Sequence, residues 1–280
     1  MTTTINKTES RIIDSNGAKI HTLVDGRDGA PWVAFIHSLG TNASLYDGQI
    51  PALAEHFRIL RYDMRGHGRS SAPPGPYSMD TLVGDLLGLF APLRIARAHL
   101  VGISLGALTA IAAAQRNAPQ IASIAFCDSR ADMPADFIKA IDDRNAIVRQ
   151  QGMGAIAAAM AERWLTVATI VNKQGVAEKV SQMVQSASVE GFVACTAAIK
   201  GNRILERLSA VRVPSLFIAG DQDPGLPTEV MHRMQVQVPG SEFSVLVGAS
   251  HLSNLDQPHS FNNVLLTFLN KQERINARSA

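Results

Sequence analysis

The sequence predicts an α/β protein: a mostly parallel, doubly wound sheet with a helical cap inserted between core strands. Three observations carry this. Short aliphatic runs recur along the chain and end in Gly, Asp, Ser or His, as strands buried on both faces do. Helical patterns alternate with them. One long stretch, residues 129–210, breaks the alternation and holds only helical patterns.

Strands are expected at residues 19–24, 32–36, 58–62, 98–101, 121–126, 213–219 and 243–247. Helices are expected between them. Residues 79–93 carry Leu82, Leu86, Leu89 and Leu93 at helical spacing, residues 104–117 are rich in Ala and Leu, and 227–235 and 260–269 close the core. Within 129–210 the helical patterns are 138–148, 155–165, 176–186 and 189–199. The expected organisation is therefore a core of residues 1–128 and 211–280 and a cap of residues 129–210. The cap should lie over the C-terminal ends of the strands, where open α/β sheets bind ligands. The polar tail from Lys271 onward is expected to fray.

Composition narrows the function. With 46% hydrophobic and 18% charged residues the 280-residue chain is an ordinary globular protein. A net charge of +2 supplies no electrostatic footprint for nucleic acid or an anionic membrane. The longest apolar run falls well short of a bilayer span. Residues 1–10 are polar and lack the apolar centre of a secretory signal, and Cys127 and Cys195 have no metal-ligand spacing. A cytoplasmic location with reduced thiols is expected.

The chemistry is written most clearly in Gly102-Ile103-Ser104-Leu105-Gly106, directly after a strand and directly before a helix. A serine on such a turn is held in a strained conformation that exposes its hydroxyl, and glycines two residues to either side remove side chains that would collide with neighbouring backbone. The following helix aims its first amides at the same spot. A serine nucleophile needs a base, and in the α/β-hydrolase fold the order is Ser, then acid, then His. Asp223 lies just past the strand at 213–219, and His251 just past the strand at 243–247. Both loops fall on the sheet edge that carries Ser104.

Of the other histidines, His259 opens a helix, His99 starts a strand, His232 lies within a helix, and His21 and His56 are poorly placed. His67, within Asp63-Met64-Arg65-Gly66-His67-Gly68-Arg69-Ser70, reads as a loop-shaping residue, as does His37. Asp128 is the alternative acid, and Asp221 reads as a turn residue. The oxyanion hole is expected from the backbone N–H of Leu105 and a second N–H in His37-Ser38-Leu39-Gly40, that of Leu39.

Taken together these landmarks resemble the 3-oxoadipate enol-lactonases (β-ketoadipate enol-lactone hydrolases) of bacterial aromatic catabolism. The resemblance runs through Ser38-Leu39-Gly40-Thr41, the segment from Phe57 to Gly68, and Pro73-Pro74-Gly75-Pro76-Tyr77. It continues into the cap with Arg163-Trp164 and Val189-Glu190-Gly191-Phe192-Val193-Ala194-Cys195, and ends with Ala249-Ser250-His251-Leu252-Ser253-Asn254. It implies Ser104, Asp223 and His251 as the triad, a small enol-lactone bearing a carboxylate as substrate, and ring opening by water without metal or organic cofactor. The chain departs from the family pattern at residues 128–133, at 201–205 and at His37.

A carboxylate on the substrate calls for a cation in the pocket. Arg130, Arg144 and Arg163 are the candidates, each readable also as a solvated helix-surface residue, and Trp164 is either a pocket wall or an anchor of the cap core, packing being the simpler reading. Met133, Met153, Met160 and Met183 offer an adaptable apolar lining or, more simply, plain packing within the cap. Rival readings on the same scaffold are a carboxylesterase or another small-ester or amide hydrolase, a ligand-binding signalling protein, and a cofactor-free oxygenase or perhydrolase. The sequence leaves oligomeric state open.

Overall fold

The computed structural model describes residues 6–279. Among them eight strands form one sheet in the order β1-β2-β4-β3-β5-β6-β7-β8. The strands are β1 (Asn6–Ser15), β2 (Ala18–Gly26), β3 (Trp32–Ile36), β4 (Arg58–Tyr62), β5 (Ala98–Ile103), β6 (Ile121–Cys127), β7 (Ser215–Gly220) and β8 (Glu242–Leu246). β2 pairs antiparallel with β1 and β4, and all later pairings are parallel. The central strands β4 to β7 are buried residue by residue, which is why they read as unbroken apolar runs.

The helices are α1 (Ile50–Leu53), α2 (Met79–Gly88), α3 (Leu105–Ala114), α4 (Ala135–Gln151), α5 (Gly154–Trp164), α6 (Val167–Asn172), α7 (Val176–Ser186), α8 (Val189–Lys200), α9 (Thr228–Gln235), α10 (Ser253–Asp256) and α11 (Pro258–Ser279). None is long and apolar enough to cross a membrane. Helices α4 to α8 all fall between β6 and β7. Helix α8 packs directly on the loop after β4. Gly191 and Gly66 meet so closely that a Cβ on Gly191 would lie 2.3 Å from the Gly66 Cα. Ser188 N–H donates to Gly66 O (3.1 Å) and Tyr77 N–H to Ala194 O (3.1 Å).

Several elements differ from expectation. β1 was not anticipated, because its residues are polar and it covers only the sheet's antiparallel edge, where Ile12 is exposed. α2 ends at Gly88, not residue 93: a Cβ at Gly88 would lie 2.1 Å from Ser15 Oγ, and Pro92 disfavours helix in the residue before it. α6 is an added short helix capped by Thr166, whose hydroxyl accepts from Thr169 N–H. The tail does not fray at Lys271. α11 runs on to Ser279 because Leu265, Phe268, Leu269 and Gln272 are buried, and His99 Nε2 and Glu273 Oε1 form a 3.0 Å bond that ties the last turns to β5.

The chain crosses from β3 to β4 on one side and then to β5 on the other, so the direction of winding reverses between β3 and β5. A crevice opens at such a switch point. Here the β3–α1 loop and the β5–α3 turn face each other across it. The two elements touch through backbone: a Cβ on Gly106 would lie 1.9 Å from Ile36 O and 2.8 Å from His37 O. Gly106→Ala is expected to destabilise the fold by about 3 kcal/mol or more, since neither carbonyl can retreat without breaking the sheet. Denaturant unfolding measures this, and an unchanged midpoint would contradict the close approach.

Candidate active site

Ser104 occupies the turn between β5 and α3 with φ 56° and ψ −117°, a conformation side-chain-bearing residues rarely adopt. The turn can be this tight because of its glycines: a Cβ on Gly102 would lie 2.2 Å from the Gly106 backbone. Ser104 N–H donates to Cys127 O (3.0 Å), and Ser129 Oγ donates to Ser104 O (2.9 Å). Its main chain is thereby secured from β6 while its side chain faces a cavity.

His251 lies in the loop after β8 and Asp223 in the loop after β7. His251 Nδ1 donates to Asp223 Oδ2 at 2.7 Å, leaving Nε2 as the acceptor of the neutral ring. The other Asp223 oxygen accepts Gly225 N–H at 2.8 Å. Burial is the largest influence on His251 and disfavours its charged form. The charge and hydrogen bond of Asp223, with the charge of Asp128, outweigh burial and raise the imidazole pKa. Burial likewise pushes the Asp223 carboxyl up, but His251, the Gly225 amide and Arg163 together leave it below the usual carboxylate value.

The β3–α1 loop is shaped by two buried histidines. His37 Nδ1 donates to Ser38 O (2.8 Å) and its Nε2 accepts Met64 N–H (2.8 Å). His67 Nδ1 donates to Arg65 O (3.1 Å) and its Nε2 accepts Gly40 N–H (2.9 Å). Each ring must be neutral to accept. Burial holds both pKa values low, that of His67 at about 3 with help from the nearby His37. Asp63 completes the frame by accepting Ala43 N–H (2.8 Å) and Arg69 N–H (2.9 Å). Among the described residues neither Leu39 N–H nor Leu105 N–H has an acceptor, and both residues line the cavity. Two unfilled amides beside a serine hydroxyl suit an oxyanion.

A profile of the alpha/beta hydrolase fold family matches residues 31–258. The chain belongs to this α/β-hydrolase family. It is 33% identical over 240 residues to 3-oxoadipate enol-lactonase 2 of Acinetobacter baylyi, covering 86% of this chain and 89% of that relative. The crystal structure of the enol-lactonase from Burkholderia xenovorans LB400 superposes with a TM-score of 0.89 at 34% identity, covering 93% of this chain and all of that one. A thermophilic esterase from Thermogutta terrifontis, solved with malate bound, has a TM-score of 0.85 at 28% identity over 95% of this chain and 99% of its own.

The hydrolase cavity measures about 120 Å³ and brings together Leu39, Ser104, Leu105, Arg130, Arg144, Arg163, Trp164, Asp223 and His251. An apolar cavity of about 150 Å³ holds benzene, so the scale suits one small ring. Its apolar wall is Leu108, Phe137, Ile141, Ile199 and Leu226. The methionines are absent from it: Met153, Met160 and Met183 are buried in packing instead. Trp164 stacks on the His251 ring, with centroids 5.9 Å apart and planes inclined by 26°.

The three arginines are not equivalent. Arg130 is held by Asp132 in a bidentate pair, both bonds 2.8 Å, and also donates to Gly225 O. Its charge is matched within the protein. Arg144 and Arg163 have no ion pair or hydrogen bond among the described residues. Burial, and then the charge of Arg163, lower the Arg144 pKa. Asp128 is not bonded to His251. Its oxygens accept Gly220 N–H (2.9 Å) and Ser253 Oγ–H (2.5 Å), and burial lifts its pKa to about 7. Asp221 accepts Gly248 N–H (2.7 Å) across the β7 and β8 loops. Ser129 and Phe137 carry no motif that would have singled them out.

An unmatched, half-buried guanidinium beside another cation costs stability. Arg144→Met is therefore expected to raise unfolding free energy by about 1 kcal/mol in a chloride buffer. Small carboxylates should raise the melting temperature of the parent chain and not of the variant. Thermal and denaturant unfolding check both, and a destabilised variant would mean that Arg144 serves the fold.

Proposed function

We propose that this hydrolase opens a small lactone bearing a carboxylate, by acyl transfer through Ser104, and that residues 129–210 act as its cap. The observation that carries the reading is the unmatched Arg144 in the same cavity as Ser104 and the His251–Asp223 pair. A half-buried cation without a partner among the described residues is a receptor for an anion, and the cavity volume limits that anion to a small molecule. Similarity to two enol-lactonases at 33% and 34% identity supports the lactone. The malate in the esterase structure shows that a relative of this shape accommodates a carboxylate ligand.

In this reading His251 Nε2 takes the Ser104 proton as Oγ attacks the lactone carbonyl. The N–H groups of Leu39 and Leu105 receive the oxyanion. The ring C–O bond breaks, the leaving enol oxygen takes the proton from His251, and the acyl group remains on Ser104. Water, deprotonated by the same imidazole, then releases the open-chain acid. Asp223 fixes the Nδ1–H tautomer and stabilises the imidazolium without accepting the proton. Arg144 and Arg163 hold the substrate carboxylate, and Trp164 and Phe137 flank the ring. No step calls for a metal or organic cofactor. The buried, unbridged thiols Cys127 and Cys195 fit a cytoplasmic setting.

Ser104→Ala should abolish turnover of 3-oxoadipate enol-lactone and of an activated aryl ester while the protein stays folded, and persistent turnover would remove Ser104 from the mechanism. Arg144→Met should lower kcat/KM about ten- to a hundredfold on the anionic lactone, the loss of one charge-assisted bond, and leave a neutral aryl ester nearly unaffected. Equal losses on both substrates would instead favour a plain carboxylesterase.

The acid limb of kcat/KM should lie above the ordinary imidazole value of about 6.5, because the His251 pKa is raised and activity is lost as it protonates. Asp223→Asn removes the chief raising influence and leaves burial to act alone. The limb should then move to lower pH as kcat falls by roughly 10⁴. An immobile limb would mean that another group controls the profile.

A further inference from the structure

The loop that carries His251 is fastened to the helical segment between β6 and β7 as well as to the sheet. On the sheet side, Gly248 N–H donates to Asp221 and Ser253 Oγ to Asp128. On the other side, the residues flanking His251 are both engaged. Leu252 N–H donates to Trp164 O at 3.0 Å, and Ser250 N–H donates to Asp256 Oδ2 at 2.7 Å. The second Asp256 oxygen leaves the loop. Oδ1 accepts Thr166 N–H at 3.1 Å and Thr166 Oγ–H at 3.2 Å, at the corner between α5 and α6. Lys173, just past α6, donates to Leu255 O at 3.1 Å and to Asp256 O.

The same corner supplies Arg163 and Trp164 to the cavity, and the Trp164 ring lies over the imidazole. Asp256 is 1% exposed, so its bonds do not compete with water. Only a carboxylate can accept at both ends. An amide there would point N–H groups at the donors of one side.

Resting on the reading of His251 as the base, we propose that Asp256 is a positioning residue. It locks the imidazole in register with Arg163 and Trp164, so that the seat of the substrate and the alignment of the base are set by one rigid strut. His251 is then located by the helical insertion as much as by β8. Asp256 touches no reacting atom and acts through the Ser250 amide and Thr166.

The groups facing the imidazole define the readout. Asp223 bonds to it, Asp128 adds negative charge from the end of β6, and Arg163 opposes both from α5. A loosened loop weakens the Asp223 bond and admits water. The weakened Asp223 bond lowers the His251 pKa, and the admitted water relieves burial, which raises it. Because the Asp223 and Asp128 influences outweigh burial in the intact loop, the net movement is down toward the ordinary value.

The test compares Asp256→Asn, Thr166→Val and Thr166→Ser with the parent chain. The readouts are kcat and KM on an activated aryl ester, the pH profile, and the His251 ring titration by NMR. Asp256→Asn should lose at least tenfold in kcat with KM little changed. Thr166→Val leaves the Thr166 N–H bond to Asp256 in place and removes the hydroxyl's two bonds, the one to Asp256 and the cap it accepts from Thr169 N–H. It should lose severalfold in kcat and move both the acid limb and the NMR titration to lower pH, and Thr166→Ser should restore both.

A lower melting temperature with the parent kcat and acid limb would reduce Asp256 to a packing residue and overturn the proposal. If Asp256→Asn does not fold, Thr166→Val decides alone: an unmoved titration refutes the strut. A parent chain inert toward lactone and ester would sink the hydrolytic reading, whereas the NMR titration reports on the strut without turnover.

Discussion

Backbone passing over backbone between β3 and β5 is the constraint on which the site depends. The α-carbon of Gly106 faces the carbonyl of Ile36 with no room for a methyl group, and Gly102 meets Gly106 in the same way. This contact forces the chain to reverse within three residues and throws Ser104 into a positive-φ conformation. The strain persists because the fully buried β5 holds one end of the turn and the buried helix α3 the other. Leu105, the residue after Ser104, lines the same cavity as Leu39. The Leu39 loop is in turn kept in shape by His37 and His67, whose burial keeps them neutral and able to accept backbone N–H groups.

Charge is layered around the imidazole. Behind it lie two carboxylates of different kinds. Asp223 is bonded to the ring and its pKa lies below the usual carboxylate value, while Asp128 is turned toward Gly220 and Ser253 and its pKa is lifted to about 7 by burial. In front lie Arg144, half-buried and without an ion pair among the described residues, the solvent-exposed Arg163, and Arg130, which the protein matches with Asp132. A fold selected for stability alone would pair or remove a cation placed like Arg144. Its retention in a small, mostly apolar cavity is in keeping with the anionic ligand proposed above, a common tension between stability and activity.

Legibility in the sequence followed the range of the interaction. Ser104 could be read because its environment is local: the glycines that permit the turn lie two residues away on either side. Asp223 and His251 could be read because each follows a recognisable strand. Leu39 needed the strand order as well. The polar strand β1 and the last turns of α11 escaped notice because their partners are remote. β1 is defined by pairing with β2, and the end of α11 by His99 on β5. For the methionines the packing reading holds, because softness and helical spacing say nothing about which face of a helix meets a cavity.

By itself the sequence determined the alternation of strands and helices, the strained serine turn, and the places of Ser104, Asp223 and His251 just past three strands. These follow from periodicity and from steric demands within a few residues. Only the tertiary structure decided which arginines remain unmatched, which of Asp128 and Asp223 bonds to His251, and that Asp256 ties the His251 loop to Thr166, 90 positions away. Pairing of charges and hydrogen bonds depends on distances through space. Those distances exist only once the sheet has brought remote loops to one edge.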